Sequence, residues 1–497
     1  MTADATAHVV VIGGGIAGLS AAFFLRDEPV RVTVLEGSSR LGGKLSASDV
    51  AGVAMDEGAE ALLARRPEGI DLVTAVGLGG DLVPAGVTSS AIYTRGAMHS
   101  LPRRQFMGVP ADLDELSATG VISPEGVARA RDEAARRAEA GDVSVTEYVG
   151  SRLGVEIVDR LVDPLLGGVY AGRSEDLSFR ATLAPLAAAA PRHTTLTGAA
   201  ASLLPPAPAQ PATADNSNRP PAGAPTGDGP AAKPAPVFVS LTTGIGALPE
   251  TVAKASGADV RTNAMVRELR RTATGWRLTV GSAADPEYLD ADAVIIATPA
   301  APAARLLKDS AGEAAARLAE IPYASMAIVT LAFRAADFPA QRRSGYLVPA
   351  VDGRAVKAVT FSTVKWPHLG AQAGAREQVH VVRCSVGRSG DVAVLQRDDE
   401  DLAALAAAEL ASAIGITAPP VARRVTRWGG GLPQYNVGHL DRVAAIRAAV
   451  AGQPGLAVAG AAYDGVGIPA CVATAKSAAG QVTAYLDGRG HASVLDH

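Results

Sequence analysis

Three glycines near the start of the chain have the spacing of a phosphate-binding loop. Gly13, Gly15 and Gly18 form GxGxxG after an apolar, β-branched run at residues 9–12, and residues 16–25 then carry a helical apolar pattern. In such a strand–turn–helix the first glycine permits the tight turn, the second lets a pyrophosphate approach the backbone, and the third lets the helix pack on the strand. The pyrophosphate would lie at the helix N-terminus, where backbone N–H groups point outward.

An acidic residue strengthens this interpretation. Glu36 follows a second apolar run at residues 30–35, and an acid at that place accepts a hydrogen bond from the ribose of a bound dinucleotide. The βαβ pattern therefore predicts dinucleotide binding. The alternative is a glycine-rich turn between ordinary elements.

The next residues favour one dinucleotide. Residues 40–44, RLGGK, resemble the second motif of FAD enzymes in the amine-oxidase and desaturase superfamily. Glycines there allow backbone contact with the diphosphate, and the cations neutralise it. Residues 56–60, DEGAE, resemble the next turn of that superfamily, which lies beside the flavin. We therefore expect FAD as the cofactor.

A strand, a glycine turn and a helix occur again near the end of the chain. Residues 455–469 contain the strand and the turn, and Pro469 suits the first position of a helix that we expect at about residues 470–486. The positive end of that helix would suit the pyrimidine edge of the flavin, where negative charge gathers on reduction. The alternative is a purely structural turn.

Length and composition limit the possible classes of protein. With 497 residues, the chain has material for about three domains. A hydrophobic fraction of 48% with 19% charged residues suits a globular protein, and a net charge of −4 implies no nucleic-acid partner. Cys384 and Cys471 lie in apolar contexts without metal or CxxC spacing, so no metal site is expected and the usage fits a reducing cytoplasm. No signal peptide or membrane-spanning run is expected.

The order of elements predicts an α/β (α+β) fold with a discontinuous, Rossmann-like FAD-binding domain of the amine-oxidase superfamily type. We expect this domain at residues 1–85, 237–305 and 425–490, and a sheet-based substrate-binding domain at 86–111 and 306–424. A small helical domain is expected at residues 112–199. Residues 200–236 are rich in Pro and Ala without apolar periodicity, which predicts a flexible insert.

Four further motifs point to a narrower family. They are LLGGVYAG followed by LS at residues 165–178, SGYLVP at 344–349, FSTVKWPH at 361–368 and AAYDGVGIPACV at 461–472. Together they resemble the porphyrinogen-oxidising flavoproteins, the family of protoporphyrinogen oxidase and coproporphyrinogen III oxidase. The last two resemble the coproporphyrinogen branch of Gram-positive-type bacteria, which is soluble. The resemblance covers nearly the whole chain apart from the insert. Ala475 is a departure, because the family often has glycine there.

The resemblance implies site residues by position. Residues expected to line FAD are Gly13, Gly14, Gly15, Ile16, Ala17, Gly18, Glu36, Gly37, Arg40, Gly43, Lys44, Gly58, Ala59, Glu60 and Ala61, with Val266 on the adenine side and Trp428, Val466, Gly467 and Ile468 beside the isoalloxazine. Residues expected at the substrate are Gly168, Val169, Tyr170 and Lys365. Candidates for binding the substrate propionates are Arg95, Arg103, Arg104 and Lys365, and the alternative for each is a solvated side chain without a ligand.

The implied activity is oxidation of coproporphyrinogen III to coproporphyrin III in haem biosynthesis, with molecular oxygen as the acceptor. A cytoplasmic location and a transient haem-pathway partner would follow. No catalytic acid or base is assigned, because pyrrole protons can leave to solvent or by tautomerisation. Alternatives are protoporphyrinogen IX oxidation, a flavin amine oxidase, a carotenoid desaturase and a non-catalytic FAD-binding scaffold. Amine oxidases often face the flavin with an aromatic pair, and none can be identified in a chain with 4% aromatic residues.

Overall fold

The computed structural model describes residues 6–133, 141–206, 236–376 and 378–495. Most of the predicted insert, residues 207–235, lies outside the described residues. The described strands, in chain order, are β1 Ala7–Ile12, β2 Val30–Leu35, β3 Ala47–Val50, β4 Val53–Asp56, β5 Leu62–Leu63, β6 Leu82–Pro84, β7 Ser90–Thr94, β8 Ala97–Ser100, β9 Gln105–Phe106, β10 Val109–Pro110, β11 Phe238–Leu241, β12 Asp259–Arg261, β13 Val266–Arg271, β14 Trp276–Gly281, β15 Pro286–Ala291, β16 Ala293–Ile296, β17 Tyr323–Arg334, β18 Gly345–Leu347, β19 Val356–Phe361, β20 Val379–Val386, β21 Ala422–Pro433 and β22 Leu456–Val458.

Helices connect and cover these strands. The described α-helices are α1 Ile16–Phe24, α2 Pro67–Ala75, α3 Leu113–Thr119, α4 Pro124–Arg131, α5 Ser151–Leu153, α6 Val155–Ile157, α7 Asp163–Tyr170, α8 Phe179–Thr182, α9 Ala184–Ala189, α10 Leu196–Ser202, α11 Leu248–Ser256, α12 Ala300–Leu307, α13 Gly312–Ala319, α14 Ser362–Lys365, α15 Pro367–Arg376, α16 Asp399–Ile414, α17 His439–Ala451 and α18 Ile468–Leu495. Wider helical turns at Thr146–Gly150 and Val158–Val162 flank α5 and α6.

A five-stranded parallel sheet occupies the centre of the nucleotide side of the molecule. Its strand order is β12-β2-β1-β16-β22. Alternate residues of β1 point to opposite faces, so Val9 and Val11 pack against α1, α11 and α18, while Val10 and Ile12 pack under α12, α13 and α17. Burial on both faces is the reason for an unbroken apolar run, and the strand predicted at residues 9–12 is confirmed.

The chain leaves this sheet and returns to it three times. β12 pairs with β2 after a first excursion, β16 pairs with β1 after β13, β14 and β15 have formed a separate three-stranded sheet, and β22 joins β16 after a third excursion. The domain boundaries themselves stay a prediction. The strand β21, which begins three residues before the range 425–490, pairs with β17 in a different sheet.

The second large sheet has seven strands in the order β21-β17-β20-β19-β18-β7-β8. The sequence at residues 91–102 predicts a hairpin with its turn near Arg95 and Gly96, and β7 and β8 form it. Arg95 and Gly96 both have positive φ, as a two-residue hairpin loop requires. Helix α16 covers one face through Leu402, Ala406 and Leu410. Helix α7 packs on strands β18 and β19.

Helices α3 to α10 share one apolar cluster with residues from β7 and β10. The mixture of a parallel sheet, a larger mixed sheet and helices confirms the predicted α/β fold class. Within the described residues, no helix has both the length and the apolarity needed to cross a membrane.

Candidate cofactor and substrate site

The GxGxxG loop combines close packing with one open position. A Cβ on Gly18 would lie 1.9 Å from the carbonyl oxygen of Gly13, and a Cβ on Gly13, whose φ is +111°, would lie 2.7 Å from the carbonyl oxygen of Ala297. A Cβ on Gly15 would meet no described atom within 4 Å. Two glycines are therefore required by the fold, whereas the space over Gly15 at the N-terminus of α1 is free for a ligand.

The acidic residue at the end of β2 organises the neighbouring loops. One Glu36 carboxylate oxygen accepts from the N–H of Gly14 and the other from the N–H of Ser38, each at 2.8 Å. The Glu36 carbonyl accepts from the N–H of Ala264 at 2.8 Å, two residues before Val266. The residues predicted for the nucleotide thus meet at the carboxyl end of β2.

The second motif, residues 40–44, lies directly against the GxGxxG loop. The N–H of Gly42 donates to the carbonyl of Gly14 at 2.8 Å, and the Arg40 guanidinium donates to the carbonyl of Gly43 at 2.7 Å. Burial lowers the pKa of the Lys44 ammonium, which has no hydrogen bond or ion pair among the described residues. A buried ammonium without a protein partner in the described ranges suits an anionic ligand such as a diphosphate.

The predicted flavin turn, residues 56–60, packs against the second motif and against Trp428. A Cβ on Gly58 would lie 1.9 Å from the Lys44 carbonyl oxygen and 3.2 Å from the Trp428 ring, so only glycine fits there. The Trp428 indole donates to the carbonyl of Glu57 at 3.0 Å, and the Arg40 guanidinium lies 5.9 Å from the indole ring centre. The flavin turn, the second motif and Trp428 therefore form one continuous packed surface.

The closing turn brings a second helix N-terminus to the same edge. Helices α1 and α18 follow parallel strands and pack against each other, so their N-termini face the same way. The N–H of Gly465 donates to the Tyr435 hydroxyl at 2.7 Å, and that hydroxyl donates to the carbonyl of Ala461 at 2.7 Å. Val466, Gly467 and Ile468 follow directly. Ala475 is fully buried in the cluster between these helices, so its methyl group is accommodated.

Taken together, the open space over Gly15, the Lys44 ammonium without a partner in the described part of the chain, and the two helix N-termini fit the diphosphate of FAD. The individual contacts stay a prediction.

The predicted substrate residues lie on α7 beside the seven-stranded sheet. Gly168 and Val169 are exposed, and a Cβ on Gly168 would lie 3.6 Å from Leu347 of β18. Tyr170 is buried, which raises its pKa to about 12, and its ring centre lies 5.5 Å from that of Tyr435. Tyr435 therefore connects the proposed substrate helix to the closing turn of the cofactor site.

Lys365 lies in an ion pair. Its ammonium donates to one oxygen of Glu60 at 2.5 Å, and Arg383 donates to the other oxygen at 2.5 Å and to the carbonyl of Gly58 at 2.5 Å. Burial alone would raise the pKa of Glu60, but the two cations hold it at about 2. Sequence reasoning missed Arg383. An arginine in the otherwise apolar strand VHVVRCSV was the signal that could have found it.

The other candidate cations also have partners. Arg95 pairs with Glu156 at 3.5 Å and donates to two carbonyls, and Arg103 pairs with Glu115 at 3.2 Å. The Arg104 guanidinium donates to the carbonyl of Pro205 at 3.2 Å and has no carboxylate partner among the described residues. Their role toward propionates stays a prediction.

Both cysteines are buried and free, as the apolar contexts predicted. Burial raises the pKa of Cys384 to about 12 and that of Cys471 to about 11, so neither thiol is activated. Within the described ranges no three His, Cys, Asp or Glu side chains are grouped to hold a metal ion.

Comparison with known proteins decides the family. The model of the family described as flavin containing amine oxidoreductase matches residues 16–483. The chain belongs to this family. It is an FAD-dependent oxidoreductase, and both the predicted cofactor and the predicted resemblance are confirmed.

The similar proteins cover almost the whole chain. A coproporphyrinogen III oxidase of Mycobacterium tuberculosis is 36% identical over 488 residues, which is 96% of this chain and 98% of that protein. One of Bacillus subtilis is 30% identical over 494 residues, which is 97% and 99% of the two chains. A crystal structure from Exiguobacterium sp. 255-15, named provisionally as a protoporphyrinogen oxidase, superposes with a TM-score of 0.81 at 29% identity, covering 96% of this chain and 99% of that chain.

Proposed function

We propose that this protein oxidises coproporphyrinogen III to coproporphyrin III in haem biosynthesis. The observation that carries the proposal is near-full-length similarity to proteins named coproporphyrinogen III oxidase, in a chain whose glycine loops fit FAD. The motifs FSTVKWPH and AAYDGVGIPACV, which resemble the same branch, support it independently of the nucleotide motifs.

The reaction removes six electrons and six protons from the substrate. FAD, when bound, accepts two electrons per cycle as hydride from a saturated meso carbon. Three cycles are therefore required, and we propose that oxygen takes up the electrons, so that three oxygen molecules give three molecules of hydrogen peroxide. Three protons remain after three hydrides: two come from pyrrole nitrogens, and one comes from a meso carbon through tautomerisation to a pyrrole nitrogen. They can pass to solvent, so no protein base is needed.

The chain's own task is binding and orientation. Gly15, Lys44 and the N-termini of α1 and α18 hold the diphosphate and the flavin edge. Gly168 and Val169 form the exposed wall on which a flat tetrapyrrole can lie, with Tyr170 fixed behind them. Holding one meso carbon at attack distance supplies much of the rate enhancement, because the reaction then needs no further orientation.

We also propose a cytoplasmic location and transient contact with the enzyme that consumes the product. The small net charge, the two free cysteines and the lack of a membrane-spanning helix among the described residues support the location.

The decisive experiment compares coproporphyrinogen III and protoporphyrinogen IX as substrates of the purified holoprotein. We expect a higher kcat/KM for coproporphyrinogen and three molecules of peroxide per porphyrin. A preference for protoporphyrinogen would favour the second candidate, protoporphyrinogen IX oxidation. No oxidation of either would contradict both.

A further inference from the structure

The ion cluster at Glu60 joins the proposed flavin turn to the seven-stranded sheet. Glu60 follows Gly58 in the flavin turn, Lys365 ends α14, and Arg383 lies in β20. Both carboxylate oxygens of Glu60 are occupied, one by each cation. We define these three residues as the charge bridge.

The charge bridge is largely shielded from water. The side chains of Glu60, Lys365 and Arg383 are 15%, 19% and 8% exposed. The Lys365 ammonium also lies 4.9 Å from the Trp366 ring centre and 5.8 Å from the Phe238 ring centre, which fixes it further. Charges in such a setting are weakly screened and act over longer distances than surface charges.

The bridge is attached to the backbone of the predicted flavin turn. Arg383 donates to the carbonyl of Gly58, and Gly58 itself contacts the Lys44 backbone and the Trp428 ring. A change of one charge in the bridge therefore acts close to the flavin turn. Other titratable groups also lie nearby. They are Asp56, whose pKa burial raises to about 6 although Ile245 and Gly246 donate hydrogen bonds to it, Glu57, which pairs with Arg424, and Lys44.

We propose that the charge bridge sets the reduction potential of the bound FAD, with Lys365 and Arg383 favouring the reduced cofactor and Glu60 opposing them. Reduction places negative charge on the ring, so cations beside it raise the potential and an anion lowers it. This inference rests on the proposed FAD site. It makes Lys365 a positioning residue that acts on the cofactor, in contrast to the propionate-binding role predicted from the sequence.

Single substitutions separate this role from a structural one. Lys365→Met removes one positive charge and leaves Glu60 paired with Arg383, so the midpoint potential should fall. Glu60→Gln removes the negative charge and leaves both cations, so the potential should rise. The double variant Glu60→Gln/Lys365→Met should lie near the parent, because its two charge changes cancel. The matched control is Arg277→Gln, which changes the same charge in an exposed pair with Asp290 and should leave the potential unchanged.

The measurement is a spectroelectrochemical titration of the FAD absorbance in each holoprotein. Shifts of the same sign in both single variants, or no shift in either, would overturn the proposal. A rise in KM for coproporphyrinogen in Lys365→Met with an unmoved potential would also overturn it and favour a substrate contact. If Glu60→Gln gives no folded holoprotein, Lys365→Met and Arg383→Gln must both lower the potential, and the proposal fails if they do not. A parent protein that binds no FAD would instead refute the cofactor site itself.

Discussion

At the scale of single residues, the glycines of the nucleotide loop differ in what they do. Gly15 has φ −74°, a value that alanine also adopts, and the space beside it is open. Gly15→Ala should therefore fold normally but bind FAD at least about tenfold more weakly, because a methyl group would stand where the pyrophosphate approaches. Thermal unfolding of the apoprotein and FAD titration measure the two effects.

The control for this substitution is Gly480→Ala, at an exposed position of α18 where a Cβ also meets no described atom within 4 Å. It should leave FAD affinity unchanged and stabilise the helix by about 0.5–1 kcal/mol. Equal FAD affinity in Gly15→Ala and the parent would show that the ligand does not approach Gly15.

A second residue-scale prediction concerns Lys357. Its side chain is 4% exposed, its ammonium donates to the carbonyl of Gly387, and burial, aided by Arg388, lowers its pKa to about 7. The unfolded chain binds this proton more tightly, so the group destabilises the fold below about pH 10 and most below pH 7. Lys357→Met should raise the Tm at pH 6, and the gain should shrink as the pH rises toward 10.

Differential scanning calorimetry across pH 6–10 checks the Lys357 prediction. Arg277→Gln, which removes an exposed cation, should show no comparable pH dependence. A Lys357→Met variant that is less stable than the parent at pH 6 would contradict the prediction, because it would show that the interactions of the Lys357 ammonium outweigh the cost of its burial.

At the scale of elements, the closing turn depends on a phenol from outside it. Tyr435 is 2% exposed and bridges Ala461 and Gly465, which lie on either side of the turn before α18. Tyr435→Phe leaves the half-buried N–H of Gly465 and the half-buried carbonyl of Ala461 without this partner, at a cost of about 0.5–1.5 kcal/mol. We expect a lower Tm and weaker FAD binding, measured on the same preparations.

The matched substitution is Tyr288→Phe, because Tyr288 is 65% exposed and should contribute nothing measurable. Unchanged FAD affinity in Tyr435→Phe together with a lowered Tm would show that the Tyr435 hydroxyl contributes to the stability of the fold and not to FAD binding. An unchanged Tm would contradict the bridging role.

Elements with a local signal were the ones that sequence predicted well. The buried strand β1 and the hairpin at Arg95 and Gly96 follow from apolar periodicity and turn chemistry. The closing helix α18 is also present, but it begins one residue before Pro469 and continues to Leu495, beyond the predicted end at about residue 486. The partners of Glu60 could not be found in this way, because they lie 305 and 323 residues further along the chain. No local pattern records such a pairing, so the sequence predicts Lys365 at the substrate and not in an ion pair with Glu60.

At the scale of the whole molecule, the charge bridge should also shape the response to acid. The pKa of Glu60 is about 2 in the folded protein, below the usual value of 4.5 for a glutamate. This stabilisation, about 3 kcal/mol in order of magnitude, is present above about pH 4.5 and is lost as the pH falls toward 2. The Tm of the parent should fall more steeply between pH 5 and 3 than that of Glu60→Gln. The control Asp290→Asn, a change at an exposed carboxylate, should show the same dependence of Tm on pH as the parent. Parallel curves of Tm against pH for Glu60→Gln and the parent would contradict a contribution of the Glu60 pKa to stability.

The two large sheets belong to one catalytic arrangement only if a flavin lies between the glycine loops and helix α7. The measurement that tests this most directly is anaerobic mixing of the purified yellow protein with coproporphyrinogen III. We predict that the flavin absorbance bleaches while porphyrin fluorescence appears. A flavin spectrum that stays unchanged with this substrate would contradict the account.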